Sequence, residues 1–284
     1  TYGIKKLCVD VGVKNLQDLA DINALYRPGT LRSGMVDEYI LRKHGNKNIE
    51  YIHPYVASIT YDTYGIILYQ EQVMNLLYLL GGLSWEQVDT IRKVVSKSKG
   101  EEEFVKYKKV FVEGCLKKGS LNAQDAERVF MDLKYFASYG FNKAHAIGYS
   151  MIAYWCMFMK YYYFSEFFES LLTWTASENK LQEYIDELKR FRYTINAVCP
   201  QKSLSQHWFI ENGIVYPPIC ILKGIGLKAA EEIVKPINDN DFWNSKFSLP
   251  KLDKRIINSK VMSILQNSGY YGGDIDRSLY PYKF

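Results

Sequence analysis

The sequence predicts a mainly α-helical protein with a small β element in its C-terminal third, and three observations carry that expectation. Apolar residues recur at helical spacing through most of the chain, as in Tyr69, Val73, Leu76, Leu77 and Leu80. No charge occurs from Ile147 to Met159. That run is shorter than the roughly 20 apolar residues a bilayer span needs, so a central buried helix is expected. Tyr193–Val198 and Trp208–Tyr216 read instead as extended, and Asn212–Gly213 suits a hairpin turn.

The 284 residues allow one large domain or two small ones, and an apolar share of 48% suffices for a real core. A net charge of +5 is compatible with a phosphate-rich partner. The five cysteines are scattered, odd in number and never at metal-ligand spacing, which suits reduced thiols of an intracellular protein. With four equally scattered histidines they argue against a structural zinc site. The 24 tyrosines suit either base stacking or the core. The start, TYGIKKLC, has neither Met nor the apolar core of a signal peptide and reads as a cut end.

In chain order, residues 3–20 read as a helix, a turn and a second helix start, with Gly12 breaking the run and Asn15 capping the second helix. Pro28 and Gly29 stop that second helix in a turn, and Ser33 opens an amphipathic stretch with Met35, Val36, Tyr39 and Ile40. Arg27, Arg32, Arg42, Lys43 and His44 crowd the segment Ala24–Gly45. Such cations contact a phosphate backbone or merely form a solvated face. After a polar turn at Tyr61–Gly65, Ile66–Leu80 is expected to be helical, ended by Gly81–Gly82. Gln70, Glu71, Gln72 and Asn75 occupy its polar side, facing nucleic acid or water.

Ser84 with Gln87 makes a capping box. Val88, Ile91 and Val95 line the apolar side of that helix, and Arg92, Lys93, Lys97 and Lys99 form a cationic patch at and beyond its end. Glu101–Lys118 is a helix with Phe104, Tyr107, Phe111 and Cys115 on one side, stopped by Gly119. Asn122 caps the next, whose stripe is Ala123, Ala126, Phe130 and Leu133. Asn142 is a good N-cap for the uncharged helix. Lys143 and His145 beside its free amides make either an anion site or an ordinary solvated start. A boundary is expected near Thr173–Asn179, followed by a helix on Leu181, Tyr184, Ile185, Leu188 and Phe191. Gly224-Ile225-Gly226 precedes a helix start at Leu227, where close-approaching amides meet a phosphate or simply form a tight connection. Ile256, Ile257, Val261, Ile264 and Leu265 mark a last helix, ended at Asn267–Gly269, and Gly272–Phe284 is expected to be loose.

Several of these stretches are similar to one family, the bacterial replicative DNA polymerases (the DNA polymerase III alpha subunits). FNKAHAIGYSMIAYWCMFMKYYYFSEFF resembles the family's FNK-x-HA-x-x-Y segment, and ALYRPGTLRSGMVDEYILRKHG resembles its A-L-x-R-P-G-P block, with Thr30 where proline is usual. That exchange is expected to loosen the turn. TYGIILYQEQVM resembles TYGI-x-x-YQEQVM, and Arg92-Lys93 stands where Arg-Arg is common, keeping the charge but losing a planar fork. ICILKGIGLKAAEEIV resembles one helix-hairpin-helix element.

The resemblance runs from about Gly3 to Tyr270. It implies a helical fingers domain at 1–175, a helix and small β connection at 176–218, a helix-hairpin-helix-like segment at 219–270 and a flexible tail at 271–284. It further implies that Arg92, Lys93, Asn142, Lys143 and His145 hold the phosphates of an incoming dNTP. His145 would be a donor to pyrophosphate, and a general acid only when charged. Arg27, Arg32, Arg42, Lys43, Gln70, Gln72, Lys97, Lys223, Gly224 and Gly226 would contact template-primer DNA. Catalysis would use Mg2+ held by palm aspartates. The D-x-D pairs here, Asp239–Asp241 and Asp274–Asp276, fall where the family has no palm and read as solvated loop acids.

This chain alone is therefore expected to be inactive, with the palm on a partner polypeptide or removed, and a sliding clamp engaged through absent regions. Thr1 falls inside a continuous block of family sequence, which suggests a split gene or the downstream side of an intein. Abundant Tyr, Lys and Asn would suit a phage or an AT-rich genome. The resemblance implies the cytoplasm of a bacterium or an infected host and no membrane association. Two other classes remain: a non-catalytic DNA-binding module on the basic face and the Gly224–Gly226 turn, and a purely structural helical scaffold.

Overall fold

A computed structural model describes residues 2–95, 104–137, 140–235, 253 and 255–284. Lys97, Lys99, Glu101 and the Asp239–Asp241 pair lie outside the described residues, and so does Tyr139 of the FNK segment. The chain divides into two compact units, Thr1–Trp155 and Cys156–Phe284, so the boundary expected near 175 falls inside the second.

The first unit is built from helices α1 (Tyr2–Val11), α2 (Leu16–Leu25), α3 (Pro28–Arg32), α4 (Met35–Lys43), α5 (Pro54–Thr60), α6 (Gln70–Leu79), α7 (Trp85–Val95), α8 (Lys108–Lys118), α9 (Ala123–Ala137) and the first part of α10 (Lys143–Tyr162). The capping residues act as expected: Asn15 accepts from the Asp18 amide, Asn122 from Asp125, and Ser84 and Gln87 cap each other's backbone. Gly12 and Gly119 end their helices at positive φ.

Three local expectations change. Pro28 ends α2 but also begins α3, because a proline nitrogen needs no acceptor at the first helical position. Thr30 does not loosen that corner: its buried hydroxyl donates to the carbonyls of Leu25 and Arg27, a tie no proline could make. α6 starts at Gln70 rather than Ile66, because the Gln72 side chain accepts from the Leu68 and Tyr69 amides at 2.8 and 3.0 Å and holds them extended.

Two apolar clusters fill this unit. One gathers α1, α2 and α4 around Ile66, Leu68 and Tyr69; the other joins α6 through α9 around Leu76, Leu80, Phe104, Phe111 and Phe130. The first encloses a polar knot. Asp21 is fully buried and accepts from Tyr69 Oη at 2.5 Å, Tyr39 Oη at 2.7 Å and Gln17 Nε2 at 2.7 Å. Burial pushes its carboxyl above the usual carboxylate range, despite the lowering effect of those donors. Burial, then the Asp21 charge, raises both tyrosine hydroxyls.

The second unit contains the end of α10, α11 (Phe164–Trp174), α12 (Glu178–Arg190), β1 (Thr194–Ile195), β2 (Phe209–Glu211), β3 (Ile214–Tyr216), α13 (Leu227–Val234) and α14 (Ser259–Asn267). The sheet order is β1-β3-β2, with Phe209 opposite Tyr216 in the antiparallel pair and Thr194 beside Ile214 in the parallel one. Asn212 and Gly213, both at positive φ, form the expected turn between β2 and β3. Glu169 and Thr173 of α11 accept from the amides of Ile210 and Trp208, fastening the sheet to that helix.

Two expectations here are corrected. Ile256 and Ile257 precede α14, which Asn258 caps. The segment after Gly272 is not loose: Tyr280 and Tyr282 are buried in the core of this unit. Tyr280 Oη donates to the Ser268 carbonyl at 2.7 Å and accepts from the Val198 amide at 3.0 Å, so aromatic burial plus the paired Tyr280 hydroxyl anchors the segment.

Two outcomes are expected. Tyr280→Phe leaves the Val198 amide without its acceptor and lowers stability by about 1–2 kcal/mol in urea unfolding. Because Asp21 binds its proton more tightly when folded, it favours folding below its unfolded value near 3.8 and withdraws stability as pH rises through its folded value. Relative to Asp21→Asn, the wild type should therefore lose urea midpoint as pH climbs from 3.8.

Candidate nucleotide and nucleic-acid site

The segment before α6 and the start of α10 are joined backbone to backbone. Phe141 N donates to Leu68 O and Gln70 N donates to Phe141 O, each at 3.0 Å, with Tyr69 and Phe141 forming a parallel bridge. This places the YQEQ and FNK motifs side by side. Asn142 caps α10 as expected, accepting from the His145 amide at 2.7 Å.

The amides of that helix start are not a vacant anion site. Both carboxylate oxygens of Glu71 accept from Lys143 N at 3.0 Å, and Glu71 Oε1 also accepts from Asn142 Nδ2 at 3.0 Å. A carboxylate from the neighbouring motif thus complements the positive end of α10. Lys143 Nζ lies 5.6 Å from the centre of the Tyr69 ring, and the exposed His145 ring packs between Phe141 and Tyr149 at 5.6 and 4.5 Å.

Arg27 joins this group: its guanidinium sits 4.6 Å from the Phe141 ring centre, and its Nε donates to Ala24 O at 3.1 Å. Partial burial lowers its pKa. Arg92 and Lys93, at the end of α7, share Asp89: Arg92 Nη2 donates to Oδ1 at 2.8 Å and Lys93 Nζ pairs with Oδ2 at 2.7 Å. The bonds from Lys93 and then Arg92 hold the Asp89 carboxyl below its usual range. Arg92 also lines an apolar cleft between α6 and α7 together with Gln70. Gln70 is therefore the residue common to both groups, lining the cleft and bonding the Phe141 carbonyl through its backbone amide.

The remaining candidates separate. Arg32 is exposed at the end of α3. Arg42 is half-buried, pairing with Glu38 and donating to Tyr64 O at 3.2 Å. Bonds from Lys47 and then Arg42 lower the Glu38 carboxyl. Lys43 is not a surface cation: its side chain is 7% exposed and its ammonium pairs with the buried Asp18. Gln72 is likewise internal, its Nε2 donating to Thr63 Oγ1 at 2.8 Å and Ile59 O at 3.2 Å. A DNA role for either would require leaving buried partners unmatched.

Lys223, Gly224 and Gly226 belong to the second unit. Lys223 is exposed, Gly224 holds φ +97, and Gly226 caps α13. A short 3-10 turn, Ile219–Ile221, rather than an α-helix precedes this loop. Among the described residues no group of three or more His, Cys, Asp or Glu side chains could hold a metal ion. Asp276 instead caps Ser278, whose side-chain and backbone bonds lower its carboxyl.

Sequence reasoning missed the acids. Asp89 was visible at helical i, i+3 and i, i+4 spacing from Arg92 and Lys93. Glu71 carried no such signal, because its partners are more than 70 residues away. Gln72→Ala should strip acceptors from two buried amides and cost about 2–3 kcal/mol in urea unfolding, whereas Gln70→Ala should leave stability within about 0.5 kcal/mol.

A family model described as the bacterial DNA polymerase III alpha subunit finger domain matches residues 1–119. The chain is 34% identical over 273 residues to a DNA polymerase III subunit alpha of Aquifex aeolicus, covering 95% of this chain and 23% of that protein. The same named subunit of Campylobacter jejuni is 34% identical over 276 residues, with the same coverage, and that of Escherichia coli K12 is 33% identical over 92% of this chain. The chain spans about a quarter of the length of these relatives. No described helix is long and apolar enough to cross a membrane. Residues 1–119 thus match the finger domain of the bacterial DNA polymerase III alpha subunits, and similarity to those subunits continues over 92–95% of this chain.

Proposed function

We propose that this chain grips the incoming nucleotide and the template-primer DNA for a DNA-directed DNA polymerase that replicates DNA. The observation that carries this reading is the convergence of distant motifs: Arg27 on Phe141, Phe141 bridged to Tyr69, and Gln70 shared with the cleft of Arg92. Phosphoryl and nucleotidyl transfer depend on positioned cations and donors where charge develops, and separate motifs are brought together here in that way.

In this reading Arg92 and Lys93 hold the triphosphate. Lys143 and His145 serve the leaving pyrophosphate through side chains, since the amides of Lys143 and His145 already donate to Glu71 and Asn142. Asn142 fixes the helix start. Arg27, Arg32, Arg42 and Gln70 position template and primer, and Lys97 and Lys223 are further DNA contacts in the same reading. Two surface pairs need rearrangement before phosphate binds: Asp89 with Arg92 and Lys93. Exposed pairs of this kind are worth little, so a triphosphate competes successfully. Mg2+ and its carboxylates belong to polymerase sequence outside these 284 residues, as do contacts to a sliding clamp. The chain alone is then inactive, and its place of action is the cytoplasm.

The exposed Lys223 beside the Gly224 turn supports a second reading, a non-catalytic DNA-binding module. The two readings separate on nucleotide dependence. In the polymerase assembled with its carboxylate-bearing polypeptide, Arg92→Ala and Lys143→Ala should each weaken dNTP binding about tenfold or more and leave duplex affinity within about twofold. Uniform weakening of DNA binding with no nucleotide effect would establish the module instead. Primer extension that never appears with the partner present would do the same.

A further inference from the structure

From Met151 to Met159 every residue of α10 is exposed, although none is charged. Ile152 is 54%, Trp155 55% and Met157 62% exposed. Only Ala146 and Ser150 of this helix are buried, so the central buried helix expected from the sequence is not buried here. A helix that is apolar all round needs cover on all sides, and contiguous apolar surface on a folded protein marks a docking site.

The chemistry of the surface selects its occupant. No described helix satisfies the length and hydropathy of a membrane span. Between Lys143 and Lys160 there is no cation to meet nucleic-acid phosphate other than the terminal His145. Aromatic and methionine side chains are what protein interfaces concentrate at their cores. Similarity to the Aquifex and Campylobacter subunits extends over 95% of this chain, this helix included, yet covers only 23% of their length. Most of the polypeptide of such a subunit is therefore available to meet this face.

We propose that α10 is the docking helix through which this chain is held by the remainder of the polymerase, with Ile152, Trp155 and Met157 as apolar anchors in an uncharged groove of that partner. The inference rests on the polymerase reading and adds the place of assembly to it.

The test mixes this chain with the polypeptide bearing the rest of the polymerase sequence, without DNA or nucleotide, and measures affinity. The Ile152→Gln/Trp155→Gln/Met157→Gln variant keeps good helix formers at exposed positions, so its circular dichroism and urea midpoint should match the wild type. Its affinity should fall about 100-fold or more, because a few buried aromatic and apolar anchors dominate such interfaces. Met151, Met157 and Met159 should oxidise readily in the free chain and be protected in the complex. Equal affinity of variant and wild type, no complex at all, or unprotected methionines in the complex would each overturn the proposal. A concentration-dependent dimer of the chain alone, abolished in the variant, would overturn it too and assign the face to a second copy. Primer extension is scored separately. Extension with a variant-insensitive complex defeats the docking helix alone, whereas a variant-sensitive complex without extension defeats the polymerase reading alone.

Discussion

The first unit depends on how Tyr69 to Gln72 is held. Gln72 draws the Leu68 and Tyr69 amides out of helical geometry, which lets the backbone there bridge Phe141. Tyr69 sends its hydroxyl inward to Asp21, tying α2 and α4 to the same point through Tyr39. Glu71 takes the first amide of α10. Four consecutive side chains thus serve a core knot, a strand-like bridge, a helix cap and a cleft wall. Each bond lies in or near low-dielectric surroundings, where a satisfied polar group specifies one arrangement and an orphaned one is costly.

The cations of the resembling motifs divide by burial. Lys43 and Asp18 are both nearly inaccessible, and removing either would strand the other in the interior. Arg92 and Lys93 are paired too, but in contact with water, where ion pairs exchange at little cost. Charge count along the sequence treats these residues alike. Their surroundings make one a structural element of the fold and leave the others paired in contact with solvent. Arg27 stands between, its guanidinium stacked on Phe141 while its edge bonds the end of α2.

The second unit reaches rigidity differently, by fastening small elements with long-range polar ties. Its strands are two or three residues long and could not persist alone. Glu169 and Thr173 satisfy strand amides from a helix, and Tyr280 closes the distance from residue 198 to residue 268. The segment Gly272–Phe284 was expected to be loose because terminal segments are poorly ordered unless tied down. The aromatic spacing of Tyr280, Tyr282 and Phe284 is what places it in the core.

Features that depend on near neighbours could be read from the chain alone. Asn15, Ser84 with Gln87, Asn122 and Asn142 cap helices because their oxygens reach amides three residues on. The β2–β3 turn was legible because Asn-Gly tolerates positive φ. Apolar periodicity identified the buried faces of α6 and α12, and motif resemblance identified the family. Only the assembled fold settled which polar residues face inward. Gln72 and Lys43 look no different in sequence from Gln70 and Arg42, and Glu71 finds its partners only after the chain returns at Asn142. The fold also left the uncharged stretch Met151–Met159 of α10 uncovered. Hydropathy measures a residue's preference for leaving water, whereas cover depends on which surfaces are present to meet it.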